Sequence, residues 1–260
     1  MKFQIDFSPI RSALLVLAAV SASGQAIAED APDEHSGGLV VGIGGYVAQN
    51  PFAGAKDDLE AGAFPYFSYE TERLTLDLNG LALTAYSNDT FKAELLVSPR
   101  WQLSDISDNE GFEDIERDTG MDLGAKVSAQ RGRFSGSLTY KTDVSNESHG
   151  QEIDVNVGYG LSIAPRLMLG TEVGVYARNE DLSTYMFGVY PDEAKSGRLA
   201  YSPGETLTPY AGVHTIYAVS SRISAVLAVQ IELYPDEITE SPLIKQSEAA
   251  SSFFALLYAF

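Results

Sequence analysis

The last ten residues, Ser251 to Phe260 (SSFFALLYAF), constrain the fold more than any other stretch. Side chains two apart on a strand share a face, which groups Phe254, Leu256, Tyr258 and Phe260. In a water-soluble chain such a bare aromatic strand would be an aggregation hazard. In an outer-membrane barrel the same strand closes the sheet and sets its rings at the lipid interface. Phe254, Tyr258 and Phe260 also have the form of a signal for the barrel-assembly machinery.

Residues 1–28 read as a cleaved signal peptide. Lys2 and Arg11 are basic, Ala13 to Val20 is a short apolar run, and Ala26-Ile-Ala28 is a cleavage site. The apolar run is too short to span a bilayer as a helix. Cleavage leaves residues 29–260 with a net charge of −20, too acidic for nucleic-acid binding. The chain has no cysteine, which excludes a disulfide framework and thiol chemistry. No later stretch is apolar enough for a transmembrane helix.

Residues 29–37 are polar and read as a flexible lead-in to a barrel over 38–260. From there period-two alternation recurs, and helical spacing fits none of these segments. In one, Phe91, Ala93, Leu95 and Val97 oppose Lys92, Glu94, Ser98 and Arg100. In another, Ile223, Ala225, Leu227 and Val229 oppose Ser224, Ala228, Gln230 and Glu232. The segments run about ten to thirteen residues, the length a membrane strand needs rather than the ~5–6 of a sandwich strand. The fold class is therefore all-β, a transmembrane antiparallel up-and-down barrel of 10–12 strands. Candidate strands lie at 38–48, 61–70, 73–85, 90–101, 119–130, 133–143, 150–163, 165–178, 206–218, 221–234 and 251–260. That is eleven, and single-chain bacterial barrels have an even number. The suspect stretch is Phe64–Tyr86, where the alternation changes phase at Gly80. Short connections at 130–133, 164–165 and 219–222 are expected to face the periplasm, and long ones at 104–118, 179–205 and 235–250 the outside.

The loops carry a family resemblance. Asn50-Pro-Phe-Ala-Gly54, Phe64-Pro-Tyr-Phe-Ser-Tyr69, His149-Gly150, and Tyr185-Met-Phe-Gly-Val189 followed by Ser196-Gly197 and Tyr201-Ser-Pro-Gly204 come in the order of a known set. Glu240-Ser-Pro-Leu-Ile244 and Tyr258-Ala-Phe260 complete it. The chain resembles the MltA-interacting protein / OmpV (MipA/OmpV) family of outer-membrane proteins over essentially all of 29–260. Leu256 stands where Gly is expected, and Glu240 where Asp is. The motif positions Tyr185, Gly188, Val189, Ser241 and Pro242 are carried over from the resemblance. It implies an outer-membrane barrel whose relatives include a scaffold between a lytic transglycosylase and a peptidoglycan synthase, and adhesins.

Nothing in the residues builds a catalytic centre. His35 lies in the lead-in, and Ser148 and His149 are adjacent on a strand edge and so point apart. His214 shares a strand face with Gly212 and Ile216, as a satisfied or interfacial histidine. The acidic run Asp105–Asp118 lacks the glycine a calcium loop needs at its sixth position and reads as a solvated outer loop, bridged through divalent cations to lipopolysaccharide phosphates. Gly42-Ile-Gly-Gly45 precedes no helix and cradles no phosphate. The expected lumen carries Lys92, Glu94, Arg100, Lys126, Lys141, Asp154, Glu172 and Glu232. The expectation is a monomeric, non-enzymatic envelope protein with no cofactor, its partners being the lipid bilayer, lipopolysaccharide and the assembly machinery. By resemblance it scaffolds murein-processing enzymes, with a narrow passive channel or a surface adhesin as alternatives.

Overall fold

Alternation of apolar and polar side chains becomes a wall with two faces in the computed structural model, which describes residues 38–101 and 105–260. The signal peptide, the lead-in and His35 lie outside the described residues. Twelve antiparallel strands close into one barrel, β1 (Gly38–Gln49), β2 (Leu59–Glu70), β3 (Leu74–Asp77), β4 (Gly80–Ser87), β5 (Phe91–Arg100), β6 (Gly120–Arg131), β7 (Phe134–Asp143), β8 (Gln151–Ala164), β9 (Leu167–Arg178), β10 (Thr206–Ala218), β11 (Ile223–Leu233) and β12 (Glu248–Ala259). Each strand pairs with its chain neighbours, and β12 returns to β1 from Val40↔Ala259 to Ala48↔Ser251. This places the aromatic terminal strand at the closure, as its pattern required.

Outward positions are apolar and exposed, including Ile43, Leu95, Leu123, Val157, Leu227 and Phe254. Phe254 and Phe260 are exposed, and Tyr258 shares their outward face. A soluble protein rarely leaves so wide an apolar belt bare, whereas lipid covers it at no cost. Inward positions hold the charges, together with small residues that make room for large ones. A Cβ on Gly174 would lie 2.4 Å from the Tyr210 ring, and one on Gly170 2.1 Å from the His214 ring.

The phase change at Gly80 is a hairpin, so the candidate strand 73–85 is two strands and the count becomes twelve. The Asp77 carboxylate accepts from Asn79 N–H at 2.7 Å, and Gly80 has a positive φ of 114° that suits glycine. The hairpin is short. Strand β3 reaches only Ser68–Glu70 of β2, so along Leu59–Phe67 the described strands pair with β2 only on its β1 side. Proline occupies both flanks of this notch, Pro65 on β2 and Pro99 on β5. Proline has no N–H to leave unpaired, so it fits an edge. Trp101 Nε1 donates to the Leu78 carbonyl at 3.2 Å across the top of the hairpin. Behind it lies an apolar inner cluster of Tyr46, Phe64, Val226, Ala228 and Phe253, with the Phe64 and Phe253 rings stacked at 5.6 Å.

The two faces of β11 give the first test. Leu227 is 49% exposed on the outer face and Gln230 only 3% exposed on the inner one. Leu227→Arg is expected to lose about 2–4 kcal/mol of folding free energy in the bilayer. Gln230→Arg, beside Glu232, is expected to be tolerated. Urea unfolding in lipid vesicles measures both, and equal losses would contradict the assigned facing.

Candidate functional site

The strands enclose the barrel interior, and it is layered. At the short-turn end a cavity of about 560 Å³ runs from the β4–β5 turn up toward Tyr176 and Tyr210. Six of the eight expected lumen residues line it: Lys92, Glu94, Lys126, Lys141, Asp154 and Glu172. Lys92 pairs with Glu94 at 2.8 Å, and the Tyr210 hydroxyl donates to Asp154 at 2.9 Å. Lys126, Lys141 and Glu172 make no hydrogen bond or salt bridge among the described residues, so they face the cavity solvent. The β1, β2 and β12 side of the cavity adds Val40, Tyr66 and Leu257 beside Ser68 and Glu70.

Arg100 and Glu232, the other two, lie above the cavity in a bar that crosses the barrel. Arg100 on β5 binds Asp122 on β6 at 2.8 Å and approaches Glu152 on β8 at 3.6 Å. Arg178 on β9 donates from Nε to the other Glu152 oxygen at 2.9 Å and from Nη1 to Thr208 Oγ1 at 3.1 Å. Its Nη2 lies 3.8 Å from Glu232 on β11. Glu232 also accepts from Gln230 at 3.4 Å. Asp122, Arg178 and Glu232 are buried, which makes the bar a closed ionic network rather than a wet pore lining. Asp122, Glu152 and Arg178 share the inward phase of the lumen residues named from sequence, so alternation already placed them inside. Their mutual pairing required the strand register.

Above the bar the long loops pack into a lid. Helix α1 (Glu180–Phe187) starts at Asn179, whose side chain accepts from Leu182 N–H at 3.1 Å and from Gln151 N–H at 2.9 Å. Helix α2 (Asp236–Thr239) contributes Ile238. Phe52, Ile115, Phe187, Val189, Ile238 and Leu243 form the lid's buried core. Residues 105–118 are thus more than the solvated loop expected from their acidity, because Ile106 and Ile115 are 2% and 0% exposed. Among the described residues no cluster of three or more His, Asp or Glu is arranged to hold a metal ion.

The motif residues Tyr185, Gly188, Val189, Ser241 and Pro242 all belong to this lid, and Arg117 ties two of them, Tyr185 and Gly188, together. Its Nε donates to Tyr185 O at 2.6 Å and its Nη2 to Gly188 O at 3.3 Å and to Glu193 Oε2 at 2.9 Å. Its guanidinium lies over the Tyr185 and Tyr190 rings at 5.4 and 5.1 Å. The Tyr185 hydroxyl donates to Asp118 O at 2.7 Å, Val189 bridges Tyr201, and Ser241 Oγ donates to Phe187 O. Pro242 continues that turn into buried Leu243. A Cβ on Gly188 would lie 2.7 Å from two carbonyl oxygens, so the lid closes on glycine there. Arg198 Nη1 and Lys195 Nζ both bind Asp114, each at 3.0 Å.

The placement of His149 differs from expectation. Ser148 and His149 sit in the β7–β8 loop, not on a strand, where their N–H groups both donate to Asp143 Oδ2 at 2.8 Å. Ser148 Oγ accepts from Gly150 N–H, and no hydrogen bond joins the Ser148 and His149 side chains. His214 does share the inward face with Gly212 and Ile216, and its buried Nδ1 has no hydrogen-bond partner among the described residues.

The sequence model of the family described as MltA-interacting protein MipA matches residues 41–260. YiaT of Escherichia coli K12, whose name assigns it to the outer membrane, is 26% identical over 219 residues, covering 81% of this chain and 86% of that protein. Outer membrane protein OmpV of Vibrio cholerae is 23% identical over 190 residues, covering 72% and 74%. Among solved structures, one titled bacterial polysaccharide outer membrane secretin has a TM-score of 0.47 at 12% identity, covering 88% of this chain and 100% of that one. The KdgM porin has 0.40 at 10% identity, covering 85% and 99%.

Two expected outcomes follow from the bar and the lid. Arg178→Met leaves Glu232 buried without its cation, takes from Glu152 the nearer of its two, and should cost about 3–5 kcal/mol in urea unfolding. A loss below about 1 kcal/mol, the size of an exposed pair, would mean the bar is solvated. In the lid, the hydrogen-bonded Arg198, then Lys195, hold the Asp114 carboxyl well below the usual carboxylate range. Burial pushes Glu193 up, but Arg117 outweighs it and holds that carboxyl below its ordinary value. A depressed native pKa stabilises above the unfolded value near ~4 and is lost as pH falls through the native one. Limited proteolysis of the lid should therefore accelerate below about pH 4, and Asp114→Asn or Glu193→Gln should flatten that profile. An unchanged profile in both variants would exclude these pairs as its cause.

Proposed function

The chain belongs to the MltA-interacting protein MipA family, and from that membership we propose that this outer-membrane barrel is a non-enzymatic scaffold for a periplasmic murein-processing enzyme. The observation that carries this reading is the shut long-loop end. A barrel built for uptake keeps a continuous polar path, whereas here the Arg100–Glu152–Arg178 bar and the packed lid stand in series. With transport set aside, the exposed short-turn rim is the surface available to a partner in the periplasm, where short turns of such barrels lie. The family's name supplies the partner class, a lytic transglycosylase of the MltA kind. A peptidoglycan synthase as third member of the assembly rests on the family resemblance alone.

One observation favours a second reading. The cavity below the bar is lined by charged groups and large enough for a small solute, as a channel vestibule would be. Planar-bilayer conductance separates the two. The refolded protein is expected to be silent and to retain a lytic transglycosylase in a pull-down from periplasmic extract. Discrete steps from the unaltered protein would replace the scaffold with a channel. Arg178→Met, which removes the centre of the bar, is the variant in which steps are expected if the cavity is a channel held shut.

A further inference from the structure

The arginines divide sharply by position. Arg100, Arg117, Arg178 and Arg198 are each bound to a carboxylate in the bar or the lid. The five others of the described chain, Arg73, Arg131, Arg133, Arg166 and Arg222, are exposed at the short turns, and none makes a salt bridge among the described residues. The long loops present the opposite balance, eighteen acidic residues against five basic ones over 50–58, 101–119, 144–150, 179–205 and 234–247. A chain so rich in acid has thus kept its unpaired guanidinium groups for one rim.

Two of these arginines are held in matching settings. Arg133 Nη1 donates to the Tyr159 hydroxyl at 3.5 Å, and the Tyr159 ring meets Phe134 edge-on at 5.0 Å. Arg222 Nη1 donates to the Tyr258 hydroxyl at 3.2 Å, and the Tyr258 ring meets Phe260 edge-on at 5.0 Å. All four rings lie on the outward, lipid-facing positions of their strands. Rings of this kind mark the level of the lipid headgroups. Each tyrosine accepts from its arginine and keeps its own hydroxyl proton to donate, and each guanidinium retains N–H groups in the fork that suits a phosphate.

We propose that these clusters, Arg133–Tyr159–Phe134 and Arg222–Tyr258–Phe260, are two binding sites for the phosphate of a phospholipid headgroup in the periplasmic leaflet. The guanidinium and the tyrosine hydroxyl hold the phosphate, and the phenylalanine packs on the start of the acyl chains. A protein partner fits less well, because the rings turn each arginine toward the bilayer flank rather than along the barrel axis. The inference is independent of the scaffold reading.

Native mass spectrometry of the full-length barrel in detergent, with added dioleoylphosphatidylglycerol, tests it. Two phospholipids should be retained per barrel, and R133Q/R222Q should weaken that retention by about tenfold or more, the scale of lost charged hydrogen bonds. Dioleoylglycerol, with the same tails and no phosphate, should not be retained. Heat-dependent gel mobility confirms that each variant is folded. Should the arginine variant fail to fold, Y159F/Y258F, which removes only the hydroxyls, should still weaken retention. Equal retention by the unaltered protein and the folded variants, or equal retention of dioleoylglycerol, would overturn the proposal. So would an unchanged lipid count accompanied by loss of a bound periplasmic protein, which would assign the rim to that partner.

Discussion

A chain crossing hydrocarbon must satisfy every backbone N–H and C=O within itself. For strands this means a closed ring, and closure here falls to β12, the twelfth strand, which returns to β1. Its pairing with β1 covers Val40 to Ala48, and Phe260 N–H adds a hydrogen bond to Leu39 O at 3.1 Å. Until that strand arrives, β1 and β11 each present an unsatisfied edge. Closure also sets the interior problem. Twelve strands enclose more room than the eight that side chains fill comfortably, and this chain meets it with large inward rings over inward glycines, an ionic bar and folded loops.

The notch above the β3–β4 hairpin is where the closed wall comes nearest to failing. A full-height β3 and β4 would have continued the pairing of β2 beyond Ser68. Pro65 and Pro99 on the two facing strands lower the cost of stopping early, since neither has an N–H to lose. They also discourage a strand from another molecule from docking there. The apolar inner cluster backs the same side of the barrel. Polarity inside is therefore uneven, with charge concentrated on β5 to β9 and rings and aliphatic side chains on β1, β2, β11 and β12.

The fold was legible because period two is a strong signal over ten residues, and the inward or outward facing of Leu227, Gln230 and all eight lumen residues followed from it. The hairpin at Gly80 was legible in principle. Asn79-Gly80 is the dipeptide that most favours a two-residue turn, but the apolar residues on both sides blurred it into one long strand. The apolar inner cluster was harder. In SSFFALLYAF both faces are nearly apolar, and Phe253 lies inside while Phe254 lies in lipid. The bar could not be read at all. Asp122, Arg100, Glu152, Arg178 and Glu232 are spread over 133 positions counted inclusively from Arg100 to Glu232, and only strand register and barrel curvature bring them together. The lid motifs were recognised as a family pattern, while the contacts of Tyr185 and Gly188 with Arg117, 68 and 71 positions away, follow only from how the loops pack.

The bar and the lid are one device, because Arg178 belongs to both. Below, it holds Glu152 and Glu232; above, its guanidinium lies 5.9 Å from the Phe187 ring of α1, and it stacks on Tyr176 at 4.8 Å. Phe187 in turn is fixed by Ser241, whose hydroxyl binds its carbonyl, and by Tyr234, 5.5 Å away. Lifting the lid therefore uncovers Arg178, and breaking the bar removes the support under Phe187. Bar and lid thus share one side chain, and the short-turn end, with its cavity and its unpaired arginines, is the chemically available face of the barrel.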